Sequence, residues 1–353
     1  MLRVLVVVAS LGLLEAQTTE PVTTNVLIQP LDNIKTRGTQ AFVGAIGVGT
    51  PPQMMPVTFD TTSDVSYVVS ANCTAPVCAA RPQYDAALSS TYQANGKPFE
   101  LPFGQNVSGA LSQDSVTVAG ITVNNITFGE ITSVWSDWYN NLPQSGVVGL
   151  GPADSVLDVL AAEGHIPGRQ FGLWLGRDPA GGELTLGGLN GRRFSSTLTW
   201  AELLPTAKRQ WTVTAEQVTF EGRPELGLCP DGCSVAPIST TPFFLLSNTN
   251  ADAVNAMLGG TAFGAAGAVA LDCRTLHKLP SITISVQGRA MPLSPLEYTF
   301  HLLFPNHMQM CISGFLGVSH LDDSTMMLGT LFMQKYYTAY DAENGLLGFA
   351  DSV

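Results

Sequence analysis

A half-chain repeat constrains this 353-residue sequence more than any other feature. An apolar strand, Val57-Thr-Phe, runs into Asp60-Thr-Thr-Ser, and Gly146-Val-Val-Gly149-Leu follows about 90 residues later. The pattern recurs in the second half. Val235-Ala-Pro-Ile leads into Ser239-Thr-Thr, and Met326-Met-Leu-Gly329-Thr follows after a similar interval. Repetition on this scale predicts two similar lobes facing one another across a cleft, a common setting for a binding site. No low-complexity tract separates them, and the changeover is expected near Trp200 to Leu204.

Both halves are written for strands. Trp211-Thr-Val-Thr-Ala, Gln217-Val-Thr-Phe, Ile121-Thr-Val and Ile282-Thr-Ile-Ser-Val alternate apolar and polar side chains, which places the apolar ones on one sheet face. Abundant Gly (35) and Pro (22) favour turns between short strands. Only Asp154 to Glu163 and Asn250 to Leu258 carry helical spacing with start and stop signals. The expected class is all-β.

Composition narrows the function classes. The net charge of −12 removes the basic face that nucleic-acid binding requires. Arg3 followed by the apolar run Val4 to Leu14 reads as a secretory signal peptide over residues 1–16, too short to span a bilayer. No later stretch is long and apolar enough for a membrane span, so a secreted, extracellular or endolysosomal chain is expected. Six cysteines fit that compartment as three disulfides. Fifteen connectivities are possible. Proximity favours Cys73 with Cys78 and Cys229 with Cys233, leaving Cys273 and Cys311 to close a longer loop. A zinc site is the rival reading, but the spacings exceed the usual C-x2-C and the five His form no ligand-like cluster. His301 and His307 read as loop residues. No metal or other cofactor is expected. Asn72, Asn106 and Asn125 each open a glycosylation sequon.

From residue 39 to the end the chain resembles the pepsin-like aspartic proteases. Val43-Gly-Ala-Ile-Gly-Val-Gly-Thr-Pro-Pro resembles the family's opening hairpin. Phe59-Asp60-Thr61-Thr62-Ser63 resembles Phe-Asp-Thr-Gly-Ser, and Gly146-Val-Val-Gly-Leu resembles the strand crossing beneath that loop. Leu328-Gly-Thr-Leu-Phe, Tyr336-Tyr-Thr-Ala-Tyr-Asp and Leu347-Gly-Phe-Ala resemble its C-terminal strands. The cysteine pairs fall where that family places its own.

The resemblance implies a bilobal pepsin-like fold. Residues 17–38 form a short N-terminal segment, 39–200 an N-terminal lobe and 201–353 a C-terminal lobe. The family's chemistry uses two contacting carboxylates, which share one proton because like charges that close cannot both ionise. One activates a water as general base, and the other donates a proton to the scissile carbonyl. Asp60 matches the first, with Thr61 and Ser63 as supporting hydroxyls. Thr62 stands where the family has Gly, so a strained turn is expected. Counting back from the second helix places Ser239-Thr240-Thr241 on the second Asp-Thr-Gly turn, so Ser239 is expected in place of the second aspartate. Asp60 is then expected to ionise more readily than a member of an intact pair. Thr240 is expected in the cross-lobe threonine contact. Asp323 and Asp231 lie in the wrong context to stand in for the missing acid.

The family's flap tyrosine and its tryptophan partner correspond to Phe103 and Tyr67, with Gly104 following. Phe cannot make the tyrosine hydroxyl's bond. Only about 22 residues separate Ala16 from the first hairpin, with Lys35 and Arg37 their only bases, where family zymogens carry a long basic prosegment. Together these features predict a non-proteolytic, monomeric homologue that binds a peptide, protein or glycan. The alternatives are an active aspartic endopeptidase with an atypical site and a structural or storage glycoprotein.

Overall fold

The alternating stretches form strands, as their patterning requires. Ile282–Val286 buries every second residue, and Gln217–Phe220 does the same with the opposite phase. The computed structural model describes residues 26–35, 40–101, 107–134, 142–153, 155–177, 179–205, 210–263, 267–303 and 309–353. The predicted signal peptide, Phe103, Gly104, Asn106 and His307 lie outside the described residues. The architecture is mostly β. The two predicted helices are Val156–Ala162 and Asn248–Met257, the second starting two residues before its expected position. Ser155 and Asp158 cap the first reciprocally, and Ser247 caps the second, so serines satisfy the otherwise unpaired N–H groups.

The half-chain repeat is visible as two copies of one strand arrangement. In the first, Gln53–Asp60 runs parallel to Gly146–Gly149, with Asp60 opposite Gly149. Tyr67–Val69 returns antiparallel on the other side of Gly146–Gly149, with Tyr67 opposite Val147. In the second copy, Cys233–Pro237 runs parallel to Thr325–Leu328, with Pro237 opposite Leu328. Phe244–Leu246 returns antiparallel, with Leu245 opposite Met327. Glycine stands at the same rung of each central strand, as its last residue at Gly149 and just after Leu328 at Gly329, for a steric reason. A methyl group at Gly149 would strike the Asp64 backbone, and one at Gly329 would strike the Phe243 carbonyl.

One sheet joins the two halves. Leu27–Lys35 pairs with Gly182–Leu186 on one side and Gln40–Val48 on the other. Beyond Gly182–Leu186 the order continues through Gln170–Leu175, Tyr336–Asp341, Leu346–Asp351 and Thr199–Glu202. The segment expected to precede the N-terminal lobe therefore contributes a strand to the sheet.

An aromatic cluster lies between this sheet and the lobes. Phe171 stacks on Tyr340 at 4.3 Å between centroids, and Trp211 meets both rings edge-on at 5.7 and 5.1 Å. All three side chains are fully buried. The three expected disulfides are present: Cys73–Cys78, Cys229–Cys233 and Cys273–Cys311. The last spans 38 residues, so it removes the most chain entropy from the unfolded state, worth about 4 kcal/mol. Asn72 and Asn125 are exposed, and Asn125 adopts the left-handed backbone conformation that Asn tolerates.

Candidate active site

The two strand–turn units meet through reciprocal hydrogen bonds. The Thr61 hydroxyl donates to the Pro237 carbonyl at 2.7 Å, and the Ser239 hydroxyl donates to the Phe59 carbonyl. Each hydroxyl thus reaches the residue two positions before its counterpart. The Thr61 N–H also donates to the Ser239 hydroxyl at 3.1 Å. Both residues are buried, Thr61 at 0% and Ser239 at 5% exposure.

This reciprocity corrects the expected register. Ser239 is the counterpart of Thr61 and not of Asp60. Three further observations agree. Phe59 opposite Val148 and Pro237 opposite Leu328 are equivalent rungs, so the next residues, Asp60 and Ile238, correspond. The antiparallel rungs at Tyr67 and Leu245 resume after turns of equal length. The Val65 N–H donates to the Ser63 hydroxyl at 3.0 Å, and the Phe243 N–H to the Thr241 hydroxyl at 3.3 Å, so Ser63 and Thr241 correspond. Ile238-Ser239-Thr240-Thr241 therefore answers Asp60-Thr61-Thr62-Ser63. The cross-lobe contact is Thr61 with Ser239, and Thr240 takes no part in it.

Asp60 ends its strand partly exposed. Its Oδ1 accepts two bonds, from the Thr62 N–H at 2.8 Å and the Thr62 hydroxyl at 2.7 Å. The expected supporting role of Ser63 thus passes to Thr62, while Ser63 caps the following turn. The expected strain at Thr62 is not found, because its φ lies outside the left-handed region. Its β-hydroxyl instead supplies a donor that glycine lacks. Among the described residues no carboxylate bonds to Asp60.

Burial has the largest influence on the Asp60 pKa and raises it above the usual carboxylate value, while the two Thr62 bonds pull it down. Among the described residues no neighbouring charge adds to these influences. A folded-state pKa above the unfolded one means that Asp60 favours the fold most at pH below its ordinary value. That contribution is lost as pH rises through the folded pKa. Asn retains an acceptor for the Thr62 bonds without the charge. Asp60→Asn is thus expected to gain melting temperature relative to the native chain at pH 7 and to lose that gain near pH 3. A difference independent of pH would contradict the burial of an ionised Asp60.

The remaining predicted residues are dispersed. Tyr67 is buried on its strand with its ring 6.2 Å from Phe99. Asp323 accepts from the Ser247 hydroxyl, and its carbonyl accepts from the Asn250 amide at 2.9 Å, so it closes the start of helix Asn248–Met257. Asp231 is exposed beside the Cys229–Cys233 bridge. Among the described residues no cluster of three or more His, Cys, Asp or Glu is placed to hold a metal ion.

A family profile, eukaryotic aspartyl protease, matches residues 41–352. The chain belongs to the eukaryotic aspartyl protease family. Its relatives within this family include cathepsin E-B of Xenopus laevis, 32% identical over 325 residues that cover 88% of this chain and 79% of the relative. Cathepsin D of Dictyostelium discoideum is 31% identical over 324 residues, covering 88% and 83%. Pepsin A of Canis lupus familiaris is 29% identical over 320 residues, covering 88% and 80%. The aspartyl protease architecture accounts for the paired turns, and Asp60 opens the first of them.

Two site residues escaped the sequence reading. Trp211 donates its indole N–H to the Leu150 carbonyl at 2.7 Å, and the Leu150 N–H donates to the Asp60 carbonyl at 2.8 Å. Trp211 thus ties the floor beneath Asp60 to the second half of the chain. Ile238 was read as the end of an apolar strand. The signal for it is the run of three hydroxyl residues after both Asp60 and Ile238.

The cross-lobe contact makes a stability prediction. Ser239→Ala removes a buried hydroxyl that donates to Phe59 and accepts from Thr61, at a cost of about 1–3 kcal/mol. Ser239→Thr keeps the hydroxyl and should lose far less. Equal losses for the two variants in denaturant titrations would show that the hydroxyl carries no weight.

Proposed function

We propose that this aspartyl protease homologue is a secreted protein that has lost peptide-bond hydrolysis and binds a peptide, protein or glycan through the cleft between its lobes. The observation carrying this reading is the correspondence of Ile238 with Asp60. The family's reaction divides two proton tasks between two carboxylates, and an isoleucine performs neither. Asp60 alone can bond a water, but no described acid stands ready to protonate the scissile carbonyl. The intact Thr61–Ser239 contact supports retention of the cleft's floor, so the binding surface outlasts the chemistry. The apolar N-terminal run, the three disulfides and the exposed sequons support secretion.

The test is cleavage of a denatured protein at acid pH by the purified chain and by Asp60→Ala. The expected outcome is no cleavage beyond background by either. Cleavage that disappears in Asp60→Ala would overturn the proposal and favour the second reading, an atypical active endopeptidase, which the retained Asp60 motivates.

A further inference from the structure

Three Asn-Gly pairs occur in the sequence: Asn95-Gly96, Asn190-Gly191 and Asn344-Gly345. This dipeptide is chemically labile. Glycine has no Cβ to hinder attack of its backbone nitrogen on the preceding side chain, and its backbone is freer than any other. We propose that Asn95 is the one of the three that water deamidates spontaneously in the folded protein.

The Gly96 nitrogen, after giving its proton to hydroxide, attacks Cγ of Asn95. A C–N bond forms, the side-chain nitrogen leaves as ammonia, and a succinimide ring remains. Water then opens the ring. Opening at the side-chain carbonyl gives aspartate, and opening at the backbone carbonyl gives isoaspartate, in which the chain runs through the side-chain carbons. The net change is uptake of water, release of ammonia and gain of a carboxylate. The step needs an amide side chain free to turn toward the next nitrogen and a backbone free to close the ring.

Asn95 meets both needs. Gln93–Glu100 is an edge strand whose ladder partner is Val107–Val118. The ladder pairs Ala94 with Ser112 and then Pro98 with Ala110, so Asn95, Gly96 and Lys97 form a bulge without rungs of its own. All three residues are exposed. Among the described residues the Asn95 side chain has no hydrogen-bond partner. Gly96 has a φ of 71°, and a methyl group on it would meet nothing within 4 Å. An added backbone carbon in this bulge leaves the rungs at Ala94 and Pro98 in place.

The other two pairs are held. Asn190 is only 9% exposed. Its amide nitrogen donates to Glu183 at 2.7 Å, and its amide oxygen accepts from the Arg192 N–H at 3.1 Å. Glu183 is fixed in turn by Arg193. Asn344 donates its amide nitrogen to one oxygen of Asp341 and its backbone N–H to the other, at 2.9 Å each. In both cases the nitrogen that must leave as ammonia is already bonded to a carboxylate.

The experiment incubates the full chain at mildly alkaline pH, folded and in urea. Isoelectric focusing follows the new charge, and mass spectrometry of chymotryptic peptides locates it, with cuts after Tyr92 and Phe99 isolating Asn95. In the folded chain Asn95 is expected to convert about tenfold faster than Asn190 or Asn344, which must first break their hydrogen bonds. In urea the three rates should converge, because the dipeptide is the same. Asn95→Gln should remove the acidic species that the folded chain forms, because the longer side chain closes a larger ring far more slowly. Equal rates at the three sites in the folded chain would overturn the proposal. So would an Asn95 that reacts only in urea, a rate difference that persists in urea, or acidic species undiminished in Asn95→Gln.

Discussion

Ile238→Asp is expected to raise acid-dependent cleavage of a denatured protein by about three orders of magnitude or more over the unsubstituted chain. Loss of one member of a cooperating catalytic set costs about that much, so its return should recover a comparable factor. The substitution places a carboxylate at the position that the strand register equates with Asp60. Two like charges there would share a proton and recreate the acid–base division of labour. Adding Thr240→Gly matches the close backbone approach of an Asp-Thr-Gly turn, and Thr62 should be kept for its two bonds to Asp60. Ser239→Asp is the decisive control. It should restore nothing and should destabilise the chain, because it sets a carboxylate against the Phe59 carbonyl at a site only 5% exposed. Activity recovered by Ser239→Asp and not by Ile238→Asp would show the register to be wrong.

Trp211→Ala should cost about 3–5 kcal/mol, the usual price of removing a large buried aromatic. The indole is fully buried edge-on against the stacked pair Phe171 and Tyr340 and bonds the Leu150 carbonyl. Trp211→Phe separates the two contributions. It retains most of the ring packing and removes the bond, for an expected loss of about 1–3 kcal/mol. Because the Leu150 N–H in turn supports the Asp60 carbonyl, Trp211→Phe should also weaken any ligand of the cleft more than its stability loss alone explains. Denaturant midpoints and ligand affinity measured on the same samples check both statements. A Trp211→Ala loss below about 1 kcal/mol would mean that the cluster repacks around the void.

Strand patterning was legible wherever one sheet face is buried, because alternation at Ile282–Val286 or Gln217–Phe220 leaves no other economical arrangement. Cysteine proximity and the resemblance both led to the disulfides. Asp60 was legible from its neighbours. The second turn was not, and the reason is physical. Once the aspartate is gone, Ile238 continues the apolar run Val235-Ala-Pro, and nothing local marks where the strand stops. The register is fixed by bonds between residues 178 apart, Thr61 to Ser239, which a local reading does not contain. The same holds for Trp211, whose partner Leu150 lies 61 residues away. The role of Thr62 was hidden differently. A hydroxyl beside a carboxylate reads as a steric problem until the backbone conformation is known.

The sheet that joins the halves draws strands from both ends of the chain: Leu27–Lys35 among the earliest described residues and Leu346–Asp351 among the last. A ribosome releases Gln170–Leu175 well before Tyr336–Asp341, so that edge of the first half stays unpaired until the end of the chain emerges. Premature termination a few codons early would remove Leu346–Asp351 and leave Thr199–Glu202 without its partner, while Tyr336–Asp341 could still pair with Gln170–Leu175.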